Sequence, residues 1–533
     1  MPGVGGGGPR WVAWTAVGAG AALAVPFWIG RYLPFLDMPQ HLALATVIRH
    51  HADPEWGFDP YFEVQWGELT PYWLTYLAVH LLAQLMPVET AARVFLSLYA
   101  LAFPWAGMAL CRGFGRPAWI GLLAAPLALN TNLYYGFVNY CAGVVLLLFA
   151  VAAFQRQLDE PGAGRSVRLG LLAAALFFAH VQALAVFLAC ASIQALASPS
   201  AGRRALRAGL PLAPTVLGLL APWTYATFVD PQGPQRQFAS IRGDPAPRFE
   251  TLATNLEELP ASIAGAFQDG SDGLLLGAWF AVTAVGLVRG WRCGEPVRPR
   301  LVPASLAAAA LAGYFLAPMS IKGQWNINPR FALPAALLLL PVARFGSRRW
   351  AGAAIGLTLA TAANAAWQHR AFDREVGPFE GALEAIPRGR RVLALMHDPR
   401  GRVLEKWPYL HFGQYSMVRR GGAAGGSFAA SAPMPVRYRN ANAFPHPSPW
   451  RPGDFDPSLH GPSYEYILVR GDPHGFPSVV GSSDGVLETV HREGPWGVYR
   501  SAASRAAGDA SGAAPGEDAP LPPAIRPGRG GGT

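Results

Sequence analysis

The sequence predicts a polytopic α-helical membrane protein, with about eleven transmembrane helices plus an interfacial helix and a small C-terminal extracytoplasmic α/β domain. Hydrophobic residues make up 51% of the 533 residues and charged residues only 14%, whereas soluble proteins carry nearer a quarter charged residues. Apolar runs long enough to cross a bilayer recur along the chain. From about Phe372 onward the composition changes to that of a small α/β domain.

The net charge of +10 does not indicate a nucleic-acid partner, because its arginines cluster in short loops between apolar runs. Membrane topology places such positive loops on the cytoplasmic side. The lipid bilayer is therefore an expected partner and no nucleic acid is. The four cysteines lie within or at the ends of apolar runs, which predicts neither a disulfide framework nor a cysteine metal site.

The first apolar run, 11–29, follows Arg10 and lacks a small-x-small cleavage site, which predicts an uncleaved span with residues 1–10 in the cytoplasm. Later arginine clusters fall on that same side only if the run 70–86 does not cross. We therefore expect 70–86 to form a re-entrant or interfacial helix within a first outer loop, 30–89.

The run 168–197 has basic residues on both flanks, so both of its ends are assigned to the cytoplasm. About thirty residues of helix reach about 45 Å, which is too long for one span and short for two. We expect two short helices that meet near the outer side at His180. The predicted transmembrane domain is 11–368, and its other runs are 90–110, 117–134, 136–154, 206–226, 273–289, 301–319, 330–345 and 350–367.

The predicted outer domain, 372–501, begins with a helix, a turn and a strand in PFEGALEAIPRGRRVLALMHDPRG. Two further strands are expected in YEYILVRGD and VLETVHREGPWGVYRS. The tail 502–533 is rich in Ala, Gly and Pro and is predicted to be disordered.

The first outer loop contains the leading catalytic candidate, Asp37. Pro39 at a helix start places Asp37 at or near the N-cap of a helix over 39–51, with His41 in its first turn. Capping is one complete role for Asp37, and a base or metal ligand at the bilayer surface is another. The two roles are compatible, because a cap holds the carboxylate in place.

Other polar and aromatic candidates follow in the same loop. Either Glu63 or Glu68 beside Asp37 would raise the pKa of one carboxyl of the pair, as acid–base catalysis requires, or each is a solvated loop charge. Tyr72 and Trp73 begin the predicted interfacial helix, where they would stack on a sugar ring or anchor the lipid.

Four candidates lie deeper in the chain. His180 interrupts an apolar run, either as a helix break or hydrogen-bonded group or as part of a site. Asn139 lines a polar cavity or sits at the interface. Lys322 and Arg330, in SIKGQWNINPRF, lie on the outer side against the positive-inside trend, where they would clamp a phosphate or contact lipid headgroups.

FLDMPQHLALA, GFVNYCAGVVLLLF, FFAHVQALAVF and NPRFALPAALLLLP resemble segments of an uncharacterised group of bacterial multi-pass proteins with a D-x-P-x-H first outer loop. The order of elements resembles the GT-C superfamily of membrane glycosyltransferases. The resemblance covers residues 10–370 and implies use of a polyprenyl-phosphate sugar donor in a bacterial inner membrane. It makes Asp37 the catalytic base or a ligand of Mg or Mn, and Lys322 or Arg330 the donor-phosphate residue. Two adjacent acids are usual in the superfamily, whereas Met38 follows Asp37 here.

The leading hypothesis is therefore transfer of a hexosyl or pentosyl group from a polyprenyl-phosphate donor to a glycan, lipid or protein acceptor at the outer face of the membrane. Catalytic candidates are Asp37, His41 and Glu68, and substrate-binding candidates are Glu63, Tyr72, Trp73, Asn139 and His180. One alternative is a transporter or flippase of a lipid-linked or anionic substrate, which predicts inverted repeats and charges at mid-membrane. The other is a non-catalytic membrane assembly protein.

Overall fold

A computed structural model describes residues 10–198, 202–230, 246–292, 298–321, 324–431, 433–471 and 487–501. The predicted tail 502–533 and most of the N-terminal segment 1–10 lie outside the described residues. Five helices in the described part of the chain are long and apolar enough to cross a membrane: Arg10–Trp28, Val88–Gly113, Val138–Asp159, Arg203–Val229 and Ser271–Arg292.

The remaining apolar runs also form helices, most of them shorter. Each predicted run coincides with helical structure, which confirms the helical assignment, while the count of about eleven crossings stays a prediction. These segments are Trp73–Leu82, Ala118–Ala128, Thr131–Tyr134, Ala163–Ala179, Val181–Ala197, Arg298–Leu316, Pro329–Val342 and Arg349–Val376.

Two local predictions of the sequence are confirmed. The run 168–197 breaks at His180, whose extended backbone (φ −166°, ψ 122°) ends the helix Ala163–Ala179 and begins Val181–Ala197. The run 70–86 holds only the 10-residue helix Trp73–Leu82, about 15 Å long and too short to span the roughly 30 Å hydrocarbon core.

The strands of the described residues are numbered in chain order, and four of them lie outside the main sheet: β1 (Phe62–Val64), β2 (Ser320–Ile321), β3 (Gln324–Trp325) and β6 (Val436–Tyr438). The main sheet, in the C-terminal region, is mixed and has five strands. Two predicted strands are present as β4 (Arg391–Met396) and β7 (Tyr466–Arg470), and β5 (Ala423–Ala424) lies at one edge. The stretch VLETVHREGPWGVYRS, predicted as one strand, instead forms the antiparallel pair β8 (Leu487–Glu493) and β9 (Trp496–Ser501), because the chain turns at Gly494. The pairs β4–β5 and β4–β7 are parallel, and the pairs β7–β9 and β8–β9 are antiparallel.

The sheet is fastened to the last long helix, Arg349–Val376, which runs past the predicted domain start at 372. The Trp496 indole N–H donates to the Val376 carbonyl at 2.8 Å, and the Trp496 ring packs 4.3 Å from Phe379 of the short helix Phe379–Glu384. We keep the name outer domain for residues 377–501, its side of the membrane being a prediction.

The outer domain also contacts the first outer loop, and the sequence did not predict this contact. Strand β1 (Phe62–Val64) of the loop pairs antiparallel with β6 (Val436–Tyr438) of the outer domain. Arg419 contacts Glu89 at 3.0 Å and also bonds Glu380, which ties the membrane helix Val88–Gly113 to the outer domain. These contacts join the first outer loop and the helix Val88–Gly113 to the outer domain.

Candidate active site

A cavity of about 620 Å³ lies between the first outer loop, the ends of the membrane helices and the outer domain. Its volume falls in the usual range of ligand-binding pockets. Six of the residues predicted from the sequence line it together: Asp37, His41, Tyr72, Asn139, His180 and Arg330.

Asp37 lies at the start of the helix Met38–His50, which we call the loop helix, and is only 9% exposed. Its side chain makes no capping hydrogen bond, so the interpretation of Asp37 as only a helix cap is wrong. Its backbone N–H donates to the Tyr135 carbonyl at 3.1 Å. The carboxylate instead contacts the outer domain, with Oδ1 lying 3.4 Å from His411 Nε2.

Gly136 sets the close approach of the membrane domain to Asp37. Its backbone is left-handed (φ +82°), and a Cβ atom there would lie 2.6 Å from the Asp37 nitrogen. Only glycine adopts this conformation without strain and leaves that space open. The turn Tyr135–Phe137 therefore fixes where the carboxylate sits.

Burial controls the charge of Asp37 and of His41, which lies in the first turn of the loop helix. Loss of solvation raises the pKa of Asp37 to about 7, against the opposing charge of Arg330. Burial likewise lowers the pKa of His41 to about 4, so that its imidazole is neutral at physiological pH. His41 Nδ1 pairs with the Tyr76 hydroxyl at 2.6 Å, which holds the ring beside the cavity.

Arg330 faces the same cavity with much of its hydrogen-bonding capacity unused. Its guanidinium lies 4.1 Å over the Phe137 ring, and Nη2 donates to the Trp325 carbonyl at 3.2 Å. Its Nε has no hydrogen-bond partner within the described ranges, and no described carboxylate forms an ion pair with it. The cation is thus held by aromatic faces and remains available for an anion.

His180 and Tyr72 line the wall next to Arg330. The His180 ring packs 5.2 Å from Tyr72 and 5.2 Å from Tyr140, and its Nδ1 accepts the Gln182 N–H at 3.2 Å. The break in the helix at His180 thus also supplies a cavity wall.

The structure does not bring the remaining candidates to Asp37. Glu68 forms a two-pronged ion pair with Arg437 of the outer domain, and Glu63 lies on β1 opposite that same arginine. Trp73 stacks on Trp66 at 5.1 Å and does not line the cavity. The prediction of a second carboxylate beside Asp37 is therefore wrong, because Glu63 on β1 and Glu68 beyond it both lie exposed at the surface. Lys322 lies outside the described residues.

Sequence reasoning missed the whole contribution of the outer domain to the cavity. Among the histidines, His411 has no ligand-like spacing, yet it reaches the site. Its contact with Gln40 joins residues 371 positions apart, and no local pattern signals such a contact. The outer-domain residues that line the cavity are Trp407, Leu410, His411, Phe428, Ser431, Met434 and Trp450.

The side chains around Asp37 do not fit a Mg or Mn site. Such ions need several oxygen ligands, and Asp37 is the one carboxylate among the described residues that line the cavity. No group of three His, Cys, Asp or Glu in the described ranges is arranged to hold a metal ion. Arg330 adds a positive charge to the same space.

Neither a protein-family model nor a curated protein matches this sequence. Solved structures do match its fold. ArnT from Cupriavidus metallidurans bound to undecaprenyl phosphate aligns with TM-score 0.57 and 11% identity over 92% of this chain and 98% of ArnT. The apo form of that protein aligns with TM-score 0.53 and 14% identity over 93% and 98%. The arabinofuranosyltransferase AftD from Mycobacteria aligns with TM-score 0.49 and 15% identity over 92% of this chain and 40% of AftD.

The ArnT matches cover nearly the whole of both chains, so the shared architecture includes the membrane helices and the outer domain. This chain therefore shares the fold of ArnT, which confirms the resemblance at the level of fold alone. Together with the apolar helices, the fold makes it a multi-pass membrane protein.

Proposed function

We propose that this protein is a glycosyltransferase that takes a sugar from a polyprenyl-phosphate donor and passes it to an acceptor hydroxyl at the outer face of a bacterial inner membrane. The observation that carries the proposal is the placement of Asp37 and Arg330 on one cavity of a GT-C-like fold. A carboxylate base and a cation for the leaving phosphate are the two groups that such a transfer needs.

In the proposed step, Asp37 accepts the proton of the acceptor hydroxyl while the hydroxyl oxygen attacks the anomeric carbon of the donor. The bond between that carbon and the phosphate oxygen breaks, and the anomeric configuration inverts. Arg330 stabilises the charge that develops on the departing polyprenyl phosphate. No metal enters this step, since the side chains around Asp37 do not fit one.

The pKa of Asp37 suits this role. A general base works best when its pKa lies near the working pH, and burial brings that of Asp37 to about 7. The neutral His41 lies in the first turn after Asp37 and adds no competing charge. Asn139, Tyr72 and His180 supply polar and aromatic contacts for the sugar.

The lipid part of the proposal rests on comparison and on the cavity walls. The matched ArnT structure was solved with undecaprenyl phosphate bound. In the present chain Phe137, Trp325 and Tyr140 surround Arg330, so a phosphate there would have apolar surface beside it for a polyprenyl chain. We propose Arg330 for the donor phosphate, and Lys322 as a second cation for it.

The proposal is tested with purified protein in phospholipid nanodiscs, supplied with synthetic polyprenyl phosphates that carry a hexose or a pentose and with an envelope extract as acceptor. Free polyprenyl phosphate is measured by mass spectrometry. Wild-type protein is expected to release it, and Asp37→Asn to release about 10²–10⁴ times less while still binding the donor.

Asp59→Asn is the matched control, because Asp59 lies in the same loop but does not line the cavity. Its carboxylate pairs with Arg439 at a distance of 3.0 Å. The variant should release polyprenyl phosphate like the wild type. Donor binding without release by the wild type would favour the non-catalytic alternative. Release that survives Asp37→Asn would remove Asp37 from the mechanism.

A further inference from the structure

We propose that His411 of the outer domain is a positioning residue for Asp37 and that Gln40 sets its tautomer, so that the imidazole donates its Nε2–H toward the carboxylate. This inference rests on the proposed function for its catalytic meaning, and its geometry stands on four contacts. They run from the backbone of the outer domain through Gln40 and His411 to Asp37.

The orientation of the Gln40 amide is settled by two backbone partners. Its Nε2 donates to the Gly426 carbonyl at 2.9 Å, and its Oε1 accepts the Phe428 N–H at 2.9 Å. A flipped amide would set oxygen against a carbonyl and N–H against N–H. Gln40 is fully buried, so it is held in this one orientation.

The same Gln40 nitrogen lies 3.2 Å from His411 Nδ1. An amide nitrogen only donates, so His411 Nδ1 must accept and carries no proton. In a neutral imidazole the proton then sits on Nε2, the atom that lies 3.4 Å from Asp37 Oδ1. Neither ring nitrogen is left to take a proton from an acceptor, which makes Asp37 the base.

A hydrogen bond to a carboxylate favours its charged form and fixes its orientation. The 3.4 Å contact is longer than an ordinary hydrogen bond, and catalytic contacts commonly shorten when substrate binds. Donation to Oδ1 leaves Oδ2 of Asp37 to receive the acceptor proton. The base is thus completed only when the outer domain is seated on the loop helix.

Several other groups face Asp37 and affect its protonation. Arg330 lowers its pKa, and Tyr76 and Tyr135 lie close enough to interact with its charge. His41 lies beside it and stays neutral above about pH 4. A change at His411 leaves these groups in place, so its effect on Asp37 can be measured separately.

The test reads the protonation of Asp37 directly with dicyclohexylcarbodiimide, which modifies protonated carboxyl groups in apolar surroundings. The full-length protein in nanodiscs is labelled between pH 5 and pH 9, and the peptide that contains Asp37 is quantified by mass spectrometry. Loss of the N–H donor in His411→Leu should move the midpoint of labelling upward by about one pH unit, since a hydrogen bond to a charged group has this size.

His411→Gln is the rescue variant, because a glutamine amide places an N–H near the position of imidazole Nε2. It should return the midpoint toward the wild-type value. His491→Leu is the matched control on β8, away from the cavity, and should leave the midpoint unchanged. An unchanged midpoint in His411→Leu, in protein with wild-type thermal stability, would overturn the proposal.

The same variants in the release assay separate this proposal from the proposed function. If the wild type transfers sugar, the acid limb of the pH–rate profile should move upward in His411→Leu and return in His411→Gln. A labelling shift without any transfer by the wild type would contradict the proposed function and support the positioning role. If the wild type transfers sugar but His411→Leu shifts neither the acid limb nor the labelling midpoint, the result would support the proposed function and contradict the positioning role.

Discussion

The two halves of the first outer loop both reach the outer domain, but they use their acidic side chains in different ways. The first half, with the loop helix, buries Asp37 against His411 and beside the cavity. The second half, with β1, places Glu68 on Arg437, where its side chain is 44% exposed. The outer domain meets one acid with a neutral donor and the other with a full positive charge.

This difference separates a group for chemistry from a group for attachment. The Glu68 carboxylate is committed to its arginine partner, which attaches the loop to the outer domain. A buried carboxylate without such a partner resists ionisation, and burial raises the pKa of Asp37 to about 7. Asp37 and Glu68 lie in the same loop of the sequence, and it is the side chain that contacts each of them that tells the two apart.

The largest difference in transfer rate is expected between variants of two arginines, Arg330 at the cavity and Arg437 at Glu68. Arg330→Gln should lower sugar transfer about 10²–10³-fold, because it removes the charge that stabilises the leaving phosphate. Arg437→Gln, the same change at the partner of Glu68, should leave transfer within about threefold, because Arg437 does not line the cavity. Steady-state release of polyprenyl phosphate measures both. Equal losses of transfer in the two variants would show that Arg330 has no special role at the leaving phosphate.

A smaller effect is expected from two glycines, one packed against Asp37 and the other next to Glu68 in the sequence. Gly136→Ala should reduce transfer at least about tenfold and destabilise the protein by about 1–3 kcal/mol, because a strained backbone would press on Asp37. Gly67→Ala, beside Glu68, has nothing within 4 Å of its new Cβ and should change neither quantity. Thermal unfolding and the release assay check the pair.

The pH dependence sharpens the same contrast. Since the pKa of Asp37 is raised to about 7, the carboxyl is protonated below that pH and cannot accept a proton. Transfer should therefore be on a plateau above pH 8 and fall about tenfold per unit below pH 7. A rate independent of pH between 6 and 8 would show that the base is another group.

The smallest effect is expected from Glu68→Gln. It removes one charge of an exposed ion pair and should lower the free energy of unfolding by no more than about 1 kcal/mol. The acid limb of the pH–rate profile should stay where it is in the wild type. Differential scanning fluorimetry and the same rate profile check this, and a displaced limb would mean that Glu68 acts on Asp37 after all.

Much of the fold follows from patterns that are local in the sequence. The break at His180 follows from a run too long for one span and short for two, and β4 and β7 follow from short apolar stretches bounded by turn residues. These features depend on neighbours a few positions away. The positions of Asp37 at a helix start and of Arg330 at the beginning of an apolar run were predictable for the same reason, and both side chains line the cavity.

The pairings across the site were not predictable, because they join distant segments. Glu68 was expected beside Asp37, yet its partner Arg437 lies 369 positions further on. Gln40 reads as an ordinary polar residue of a helix, and its role depends on backbone groups of Gly426 and Phe428. A single sequence carries no signal for such contacts.

The contact between Gln40 and His411 also has a consequence for the biosynthesis of the protein. Ribosomes add roughly 5–20 residues each second, so the 371 positions between them correspond to about 20–75 s of translation. During that interval the loop helix is already made while its imidazole partner does not yet exist. Asp37 therefore lacks its contact with His411 until the outer domain has been made and folded, and the proposed base is complete only from that point.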